Sequence, residues 1–77
     1  TTPVVMVNVL REHVAPLLTW LGRGGERELP EGVTARPHLD GKAEAKRGRK
    51  MGHVNLLADD PEKAHRWIEM CGIWARE

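Results

Sequence analysis

The residues whose types and spacing are best suited to binding a ligand form a short basic segment between Gly41 and Gly52. The segment holds one acid, Glu44, and five cations: Lys42, Lys46, Arg47, Arg49 and Lys50. Arginine offers a flat fork of donors and lysine a point charge, while glycine lets the backbone approach a ligand closely. Cations on a glycine-flanked turn can enclose a phosphate, so the segment predicts an anionic ligand.

Two of these cations are the candidate phosphate-binding pair. Lys42 and Arg49 are seven residues apart, so a hairpin would place them opposite each other near its mouth. Lys50 is a candidate supporting residue of the same pocket. So are His53 and Asn55, which strand alternation places on the face of Arg49.

Each of these assignments has a plainer alternative. The basic segment can be an ordinary solvated loop, since runs of exposed charge usually serve only to keep a surface hydrated. His53 can satisfy a backbone group within the sheet instead of donating to a phosphate.

Composition restricts the remaining functions. The formal net charge is only +1, whereas domains that bind nucleic acid through their overall field are usually strongly basic. The chain has no serine, and its single thiol, Cys71, has no evident histidine partner, so no catalytic set is visible. We also predict no protein-only metal site, because four histidines lack ligand spacing: His13, His38, His53 and His65.

Cysteine usage and hydropathy indicate the compartment. A single cysteine cannot form an internal disulfide, and no segment approaches the roughly 20 apolar residues that span a bilayer. We therefore expect a cytoplasmic protein with no membrane role. The chain starts at Thr1 and enters an apolar run almost at once, so we expect residues 1–77 to be a single domain of a larger protein.

Hydrophobic periodicity predicts an α+β fold. Residues 4–10, 33–40 and 49–58 have the β-branched or alternating pattern of strands. One helix is predicted around Val14 to Leu21, ending at Gly22, and a second after the helix start Asp60-Pro61-Glu62. This order predicts a small, mostly antiparallel sheet with two packed helices.

The first half of the chain carries further local predictions. The apolar run 4–10 predicts a strand buried on both faces, with Asn8 in a buried hydrogen bond. Pro16 is tolerated only in the first turn of its helix, and Pro37 predicts that the second strand lies at an edge. Residues 22–32 are rich in glycine and charge without periodicity, which indicates a solvated loop.

The second half also carries local predictions. The third strand should have a core face with Val54, Leu56 and Ala58. The opposite face should present Arg49, Met51, His53 and Asn55 as a site. The second helix should bury Ala64, Trp67, Ile68 and Cys71 and end at Gly72. The pair 73–74 either extends the sheet or covers it.

Three blocks of sequence, taken in order, carry a family resemblance. They are residues 5–10 (Val-Met-Val-Asn-Val-Leu), 38–42 (His-Leu-Asp-Gly-Lys) and 47–55 (Arg-Gly-Arg-Lys-Met-Gly-His-Val-Asn). The string Gly-Arg-Lys-Met-Gly-His, with Gly-Lys seven residues upstream, resembles the C-terminal domain of 5-(carboxyamino)imidazole ribonucleotide synthase. This family consists of ATP-grasp enzymes of purine biosynthesis, and the resemblance covers nearly the whole chain.

The resemblance implies an activity and assigns the site. Enzymes of this family use ATP and magnesium to activate bicarbonate, through carboxyphosphate, and carboxylate the amine of 5-aminoimidazole ribonucleotide. Their C-terminal domain helps to hold the ribonucleotide, and the lysine and arginine that contact its phosphate correspond to Lys42 and Arg49. The family's ATP and metal ligands lie outside this chain. The resemblance therefore implies an inactive domain whose partners are the other ATP-grasp domains of the polypeptide, in a homodimer.

Two positions depart from the family pattern, and two other classes of function stay open. The family commonly has an aromatic residue where Asp40 stands, which could weaken the local positive field, and a proline in place of Arg47. One alternative is a small nucleic-acid-binding module that uses Lys46, Arg47, Arg49 and Lys50 as phosphate contacts. The other is a structural domain that docks on a partner through Trp20, Trp67 or Trp74.

Overall fold

A three-stranded antiparallel sheet organises the chain. The computed structural model describes residues 2–40 and 46–75. Its elements are β1 (Val4–Leu10), α1 (Arg11–Gly22), a 3₁₀ helix (Gly25–Glu28), β2 (Val33–Leu39), β3 (Lys50–Ala58) and α2 (Pro61–Met70). The strands lie in the order β1-β3-β2, with β3 in the centre. The predicted α+β fold is confirmed.

The hydrophobic core lies between the sheet and the two helices. Alternate residues of β3, namely Val54, Leu56 and Ala58, are buried, as the period of two predicts. They form one cluster with Leu17 and Trp20 of α1 and with other buried residues: Val9, Val33, Ala35, Ala64, Trp67 and Ile73. Both helices therefore cover the same face of the sheet.

The prediction that β1 is buried on both faces is wrong. β1 is an edge strand, in which Val4 and Met6 are more than half exposed while Val9 is fully buried. Asn8 is likewise exposed, so its side chain makes no buried hydrogen bond. β2 forms the other edge, which confirms the position predicted from Pro37.

The first helix is longer than its apolar spacing predicts. α1 begins at Arg11, directly after β1, so Pro16 lies in the second turn and not in the first as expected. Leu17 and Trp20 form the buried side, whereas Leu18, which belongs to the same apolar spacing, is 52% exposed. The helix includes Gly22 as its last residue, as predicted.

The second helix matches its prediction closely. The Asp60 carboxylate accepts a hydrogen bond of 3.0 Å from the backbone N–H of Glu62, and Pro61 occupies the first position. Ala64 and Trp67 are buried, while Ile68 and Cys71 are partly buried against the core. Gly72 follows with φ of 86° and ends the helix.

The C-terminal turn covers the sheet and does not extend it. Ile73 is buried, and the indole Nε1 of Trp74 donates a hydrogen bond of 2.9 Å to the carbonyl oxygen of Asn8. The indole of Trp67 lies 5.2 Å from that of Trp20 and 5.9 Å from that of Trp74, measured between ring centroids. Because Trp20 and Trp67 are buried in this stack, they cannot serve as docking residues.

The segment 22–32 is more ordered than the predicted solvated loop. It contains the 3₁₀ helix, whose first residue, Gly25, is buried, and an ion pair of 3.0 Å between Arg23 and Glu28. Within the described residues, neither helix has the length and apolar character required to cross a membrane.

Candidate functional site

The described part of the basic segment forms a tight turn. The backbone N–H of Arg49 donates a hydrogen bond of 3.1 Å to the carbonyl of Lys46, and Gly48 between them has φ of 85°. A bond between the first and fourth residues with positive φ at the third is the geometry of a type II turn. Such a turn favours glycine at the third position because other residues are strained there.

The start of α1 holds this turn in place. The N–H of Arg11 donates a hydrogen bond of 2.8 Å to the carbonyl of Arg49. In addition, the Glu12 carboxylate accepts a hydrogen bond of 2.8 Å from the N–H of Gly48. Two successive residues of α1 thus bind two successive residues of the turn, which fixes the main chain from which the Arg49 side chain projects.

The contact between Glu12 and Gly48 was not predicted from the sequence. The only available signal was an acid in the first turn of a helix, where carboxylates are common because they interact with the helix dipole. That signal does not identify a partner 36 residues away.

The hydrogen bond from Gly48 lowers the pKa of the Glu12 carboxyl below its ordinary value. The backbone N–H of Glu12 itself and the positive charge of Arg47 also lower this pKa. Because the folded-state pKa is lowered, the contribution of this contact is present above the unfolded-state pKa. It is lost as the pH falls through the folded pKa.

We therefore expect Glu12 to titrate below the ordinary range of a glutamate side chain. In a pH titration of the 77-residue chain followed by NMR, the Glu12 carboxyl carbon should have a lower midpoint in the folded protein than in the chemically unfolded chain. The amide proton of Gly48 should shift with the same midpoint, because it reports the hydrogen bond directly. A Gly48 amide that does not respond to the titration of Glu12 would show that the two groups are not bonded in solution.

Not all the predicted site residues can be placed. Lys42 lies outside the described residues, so its pairing with Arg49 stays a prediction. Arg49 and Lys50 are exposed, and Lys50 lies opposite Leu10 at the start of β3. Arg49 precedes the strand, which begins one residue later than predicted.

An irregularity in β3 interrupts the predicted alternation of its side chains. In β1, Val9 pairs with Gly52 but Leu10 pairs with Lys50, so Met51 has no pairing partner in β1 and forms a β-bulge. Met51 is 7% exposed, although strand alternation placed it on the site face. The alternation therefore does not extend through Met51: its predicted position on the site face is wrong, and the position of the Arg49 side chain relative to His53 stays a prediction.

His53 lies in a polar row on the face of the sheet opposite the helices. It pairs with Asn8 of β1 on one side and with His38 of β2 on the other. The two imidazoles stack with centroids 4.9 Å apart and an interplanar angle of 27°. Asn55 occupies the next outward position, between Met6 and Arg36.

His53 and Asn55 lie within β3, several residues farther along the chain than Arg49. At about 3.3 Å per residue, His53 is about 13 Å and Asn55 about 20 Å beyond it. A role of His53 and Asn55 as pocket support stays a prediction.

An open cavity of about 680 Å³ lies beside the basic turn. It is lined by Glu12 and His13 of α1, Arg47 of the turn, and the segment 72–75, among others. Nδ1 of His13 accepts a hydrogen bond of 3.0 Å from the N–H of Leu10, which assigns the proton of the neutral ring to Nε2. The volume is within the range of small-molecule sites, so the turn borders a space of ligand size.

The described residues provide no catalytic centre for metal or thiol chemistry. No three side chains of histidine, cysteine, aspartate or glutamate within residues 2–40 and 46–75 are grouped so that they could hold a metal ion. Partial burial raises the pKa of the Cys71 thiol, and its Sγ lies 3.6 Å from the carbonyl of Ile68. The thiol is thus held in its protonated, unreactive form.

Comparison with known proteins gives consistent matches over most of the chain. Residues 4–66 match the family model of the phosphoribosylaminoimidazole carboxylase C-terminal domain. The chain is also 37% identical, over 70 residues, to the phosphoribosylaminoimidazole carboxylase of Schizosaccharomyces pombe. That alignment covers 91% of this chain but only 12% of the length of the relative. A search of solved structures found no match.

Proposed function

Since the chain belongs to the phosphoribosylaminoimidazole carboxylase C-terminal domain family, we propose that it binds the ribonucleotide substrate of an ATP-dependent carboxylating ligase. The proposed substrates are 5-aminoimidazole ribonucleotide and bicarbonate, and the proposed product is 5-(carboxyamino)imidazole ribonucleotide. The role assigned to this domain is to hold the 5′-phosphate through Arg49, together with Lys42.

The observation that carries the proposal is the restrained turn that presents Arg49. Its main chain is bonded at the N–H to Lys46 and at the carbonyl to Arg11, and the side chain is exposed. A guanidinium on a fixed backbone can make two parallel hydrogen bonds to phosphate oxygens without a further loss of backbone conformational entropy.

The chemical steps would take place on the other domains of the polypeptide. Bicarbonate attacks the γ-phosphate of ATP to give carboxyphosphate and ADP. The amine of the ribonucleotide then attacks the carboxyl carbon, and inorganic phosphate leaves. ATP and magnesium are assigned to ATP-grasp domains outside this chain, as the family resemblance implies. A cytoplasmic homodimer is part of the same proposal.

Binding a remote phosphate can still assist this reaction. The phosphate is not transformed, so its interaction energy can be used to orient the amine toward the activated carboxyl group. The turn therefore has no need of an acid, a base or a nucleophile.

The proposal is tested with the full native reading frame that contains this segment. ATP hydrolysis is measured with magnesium and bicarbonate, in the presence and absence of 5-aminoimidazole ribonucleotide, while the carboxylated product is quantified. We expect ADP release that depends on the ribonucleotide and is stoichiometric with product. ATP turnover that ignores the ribonucleotide would contradict the assignment. A reading frame that encodes only this small domain would also contradict it.

A further inference from the structure

The basic turn is held by a side chain that lies outside it, on α1. We propose that Glu12 is a positioning residue for the phosphate-binding turn: its carboxylate holds Gly48 so that Arg49 is presented to the ligand. This inference rests on the proposed function of Arg49. Phosphate binding would then depend on a side chain of α1 that is distant from the basic segment in sequence.

The need for such a contact follows from the glycine at the centre of the turn. Gly48 has nothing within 4 Å of the place where a Cβ would be, so no side-chain packing restrains it. Glycine also has more backbone freedom to lose than any other residue. The Glu12 carboxylate, 2.8 Å from the Gly48 N–H, supplies a restraint from outside the turn.

The contact acts together with its neighbour on α1. The Arg11 N–H fixes the carbonyl of Arg49, and the Glu12 carboxylate binds the N–H of Gly48. The peptide group before Gly48 and the peptide group after Arg49 are therefore both anchored to the start of α1. Both anchors are short, at 2.8 Å, and the helix that carries them packs on the core through Leu17 and Trp20. These two hydrogen bonds therefore fix the position of the turn relative to the hydrophobic core.

The charge of Glu12 has the opposite effect on an anionic ligand. A carboxylate near the phosphate-binding cations repels the phosphate, and it already interacts electrostatically with Arg47. The hydrogen bond should therefore strengthen ligand binding while the charge weakens it. Because the two effects differ in sign, substitutions that remove them separately can distinguish positioning from electrostatics.

The test measures kcat and KM for 5-aminoimidazole ribonucleotide in the full-length enzyme. Glu12→Ala removes both the charge and the acceptor, whereas Glu12→Gln removes the charge but keeps an oxygen that can accept from Gly48. Glu12→Asp keeps the charge but is one methylene shorter. Glu62→Ala is the matched control, because it removes the corresponding first-turn acid of α2.

We expect Glu12→Ala and Glu12→Asp to raise KM for the ribonucleotide about tenfold with kcat little changed, because the positioning of Arg49 is lost. Glu12→Gln should match the wild type or bind slightly tighter, and Glu62→Ala should have no effect. Thermal unfolding of the same proteins shows whether each variant is folded. If Glu12→Ala does not fold, the comparison of Glu12→Asp with Glu12→Gln decides alone.

The Arg49→Ala variant separates a wrong role for Glu12 from a wrong role for the turn. If Arg49→Ala raises KM but Glu12→Ala and Glu12→Gln give the same KM, or both bind more tightly, Glu12 acts only through its charge and the inference is overturned. If Arg49→Ala leaves KM unchanged, the phosphate-binding role of the turn is wrong, and the inference falls with it.

Discussion

Arg49→Ala is expected to raise KM for 5-aminoimidazole ribonucleotide roughly 10- to 100-fold in the full-length enzyme, while KM for ATP stays unchanged. A hydrogen bond to a charged group contributes about 1.5–3 kcal/mol, and the exposed position of Arg49 favours the lower part of that range. The lost energy is binding energy remote from the reacting atoms, so kcat should fall much less than kcat/KM. Steady-state kinetics with each substrate varied in turn measures the effect.

Two further substitutions sharpen this result. Arg49→Lys keeps the charge but loses the two-pronged donor geometry, so its KM should lie between those of the wild type and Arg49→Ala. Arg66→Ala, which removes an exposed arginine from α2, is the control for a general change in charge. An equal rise in KM for ATP and for the ribonucleotide would contradict a specific role in phosphate binding.

Gly52→Ala is expected to be the most damaging single change to the fold, with a loss of about 3 kcal/mol in the free energy of unfolding. Gly52 lies in the central strand between Val9 and Leu39, with φ of 156°. A Cβ at this position would overlap the carbonyl oxygen of His38, which is backbone and cannot rotate away. The strands would have to separate, and denaturant unfolding of the 77-residue chain measures the cost.

Gly22→Ala provides the comparison for this prediction. Gly22 is the last residue of α1, and the space that an alanine methyl group would occupy there has no other atom within 4 Å. Alanine at this position should therefore be neutral or slightly stabilising. A neutral Gly52→Ala would show that β2 and β3 do not approach each other as closely at Gly52 as the structure has them.

The elements that the sequence predicted well are those with local signals. The cap at Asp60, the proline after it and the apolar spacing of α2 all act within a few residues, so they identify the helix without tertiary information. The same holds for β3, where Val54, Leu56 and Ala58 alternate with half-buried residues. Pro37 likewise predicted an edge strand because it lacks the N–H that a central strand must donate.

The errors concern the relation between elements. The apolar run of β1 has the composition of a central strand, yet β1 is an edge strand with Val4 and Met6 exposed, because strand order is set by the whole topology. The bulge at Met51 also has no local signal, since it follows from the register of two distant strands. Strict alternation therefore misplaced Met51, which is buried.

The candidate site was predictable only in part. The cations and glycines of the basic segment predicted a turn, which the structure shows at residues 46–49, and anion binding there stays a prediction; the contact of Glu12 with Gly48 depends on how α1 leaves β1. The turn geometry also explains one departure from the family pattern. Arg47 occupies the second position of a type II turn, where proline is favoured, and Gly48 at the third position keeps the turn type without it.

A binding cycle separates the contribution of Arg49 to phosphate binding from its contribution to the rest of the ribonucleotide. The affinities of the full-length protein for 5-aminoimidazole ribonucleotide and for the riboside without phosphate are measured by calorimetry, for the wild type and for Arg49→Ala. We expect the substitution to weaken binding of the ribonucleotide at least tenfold and to leave binding of the riboside unchanged. An equal loss for both ligands would contradict phosphate binding by Arg49, because Arg49 would then act on something other than the phosphate.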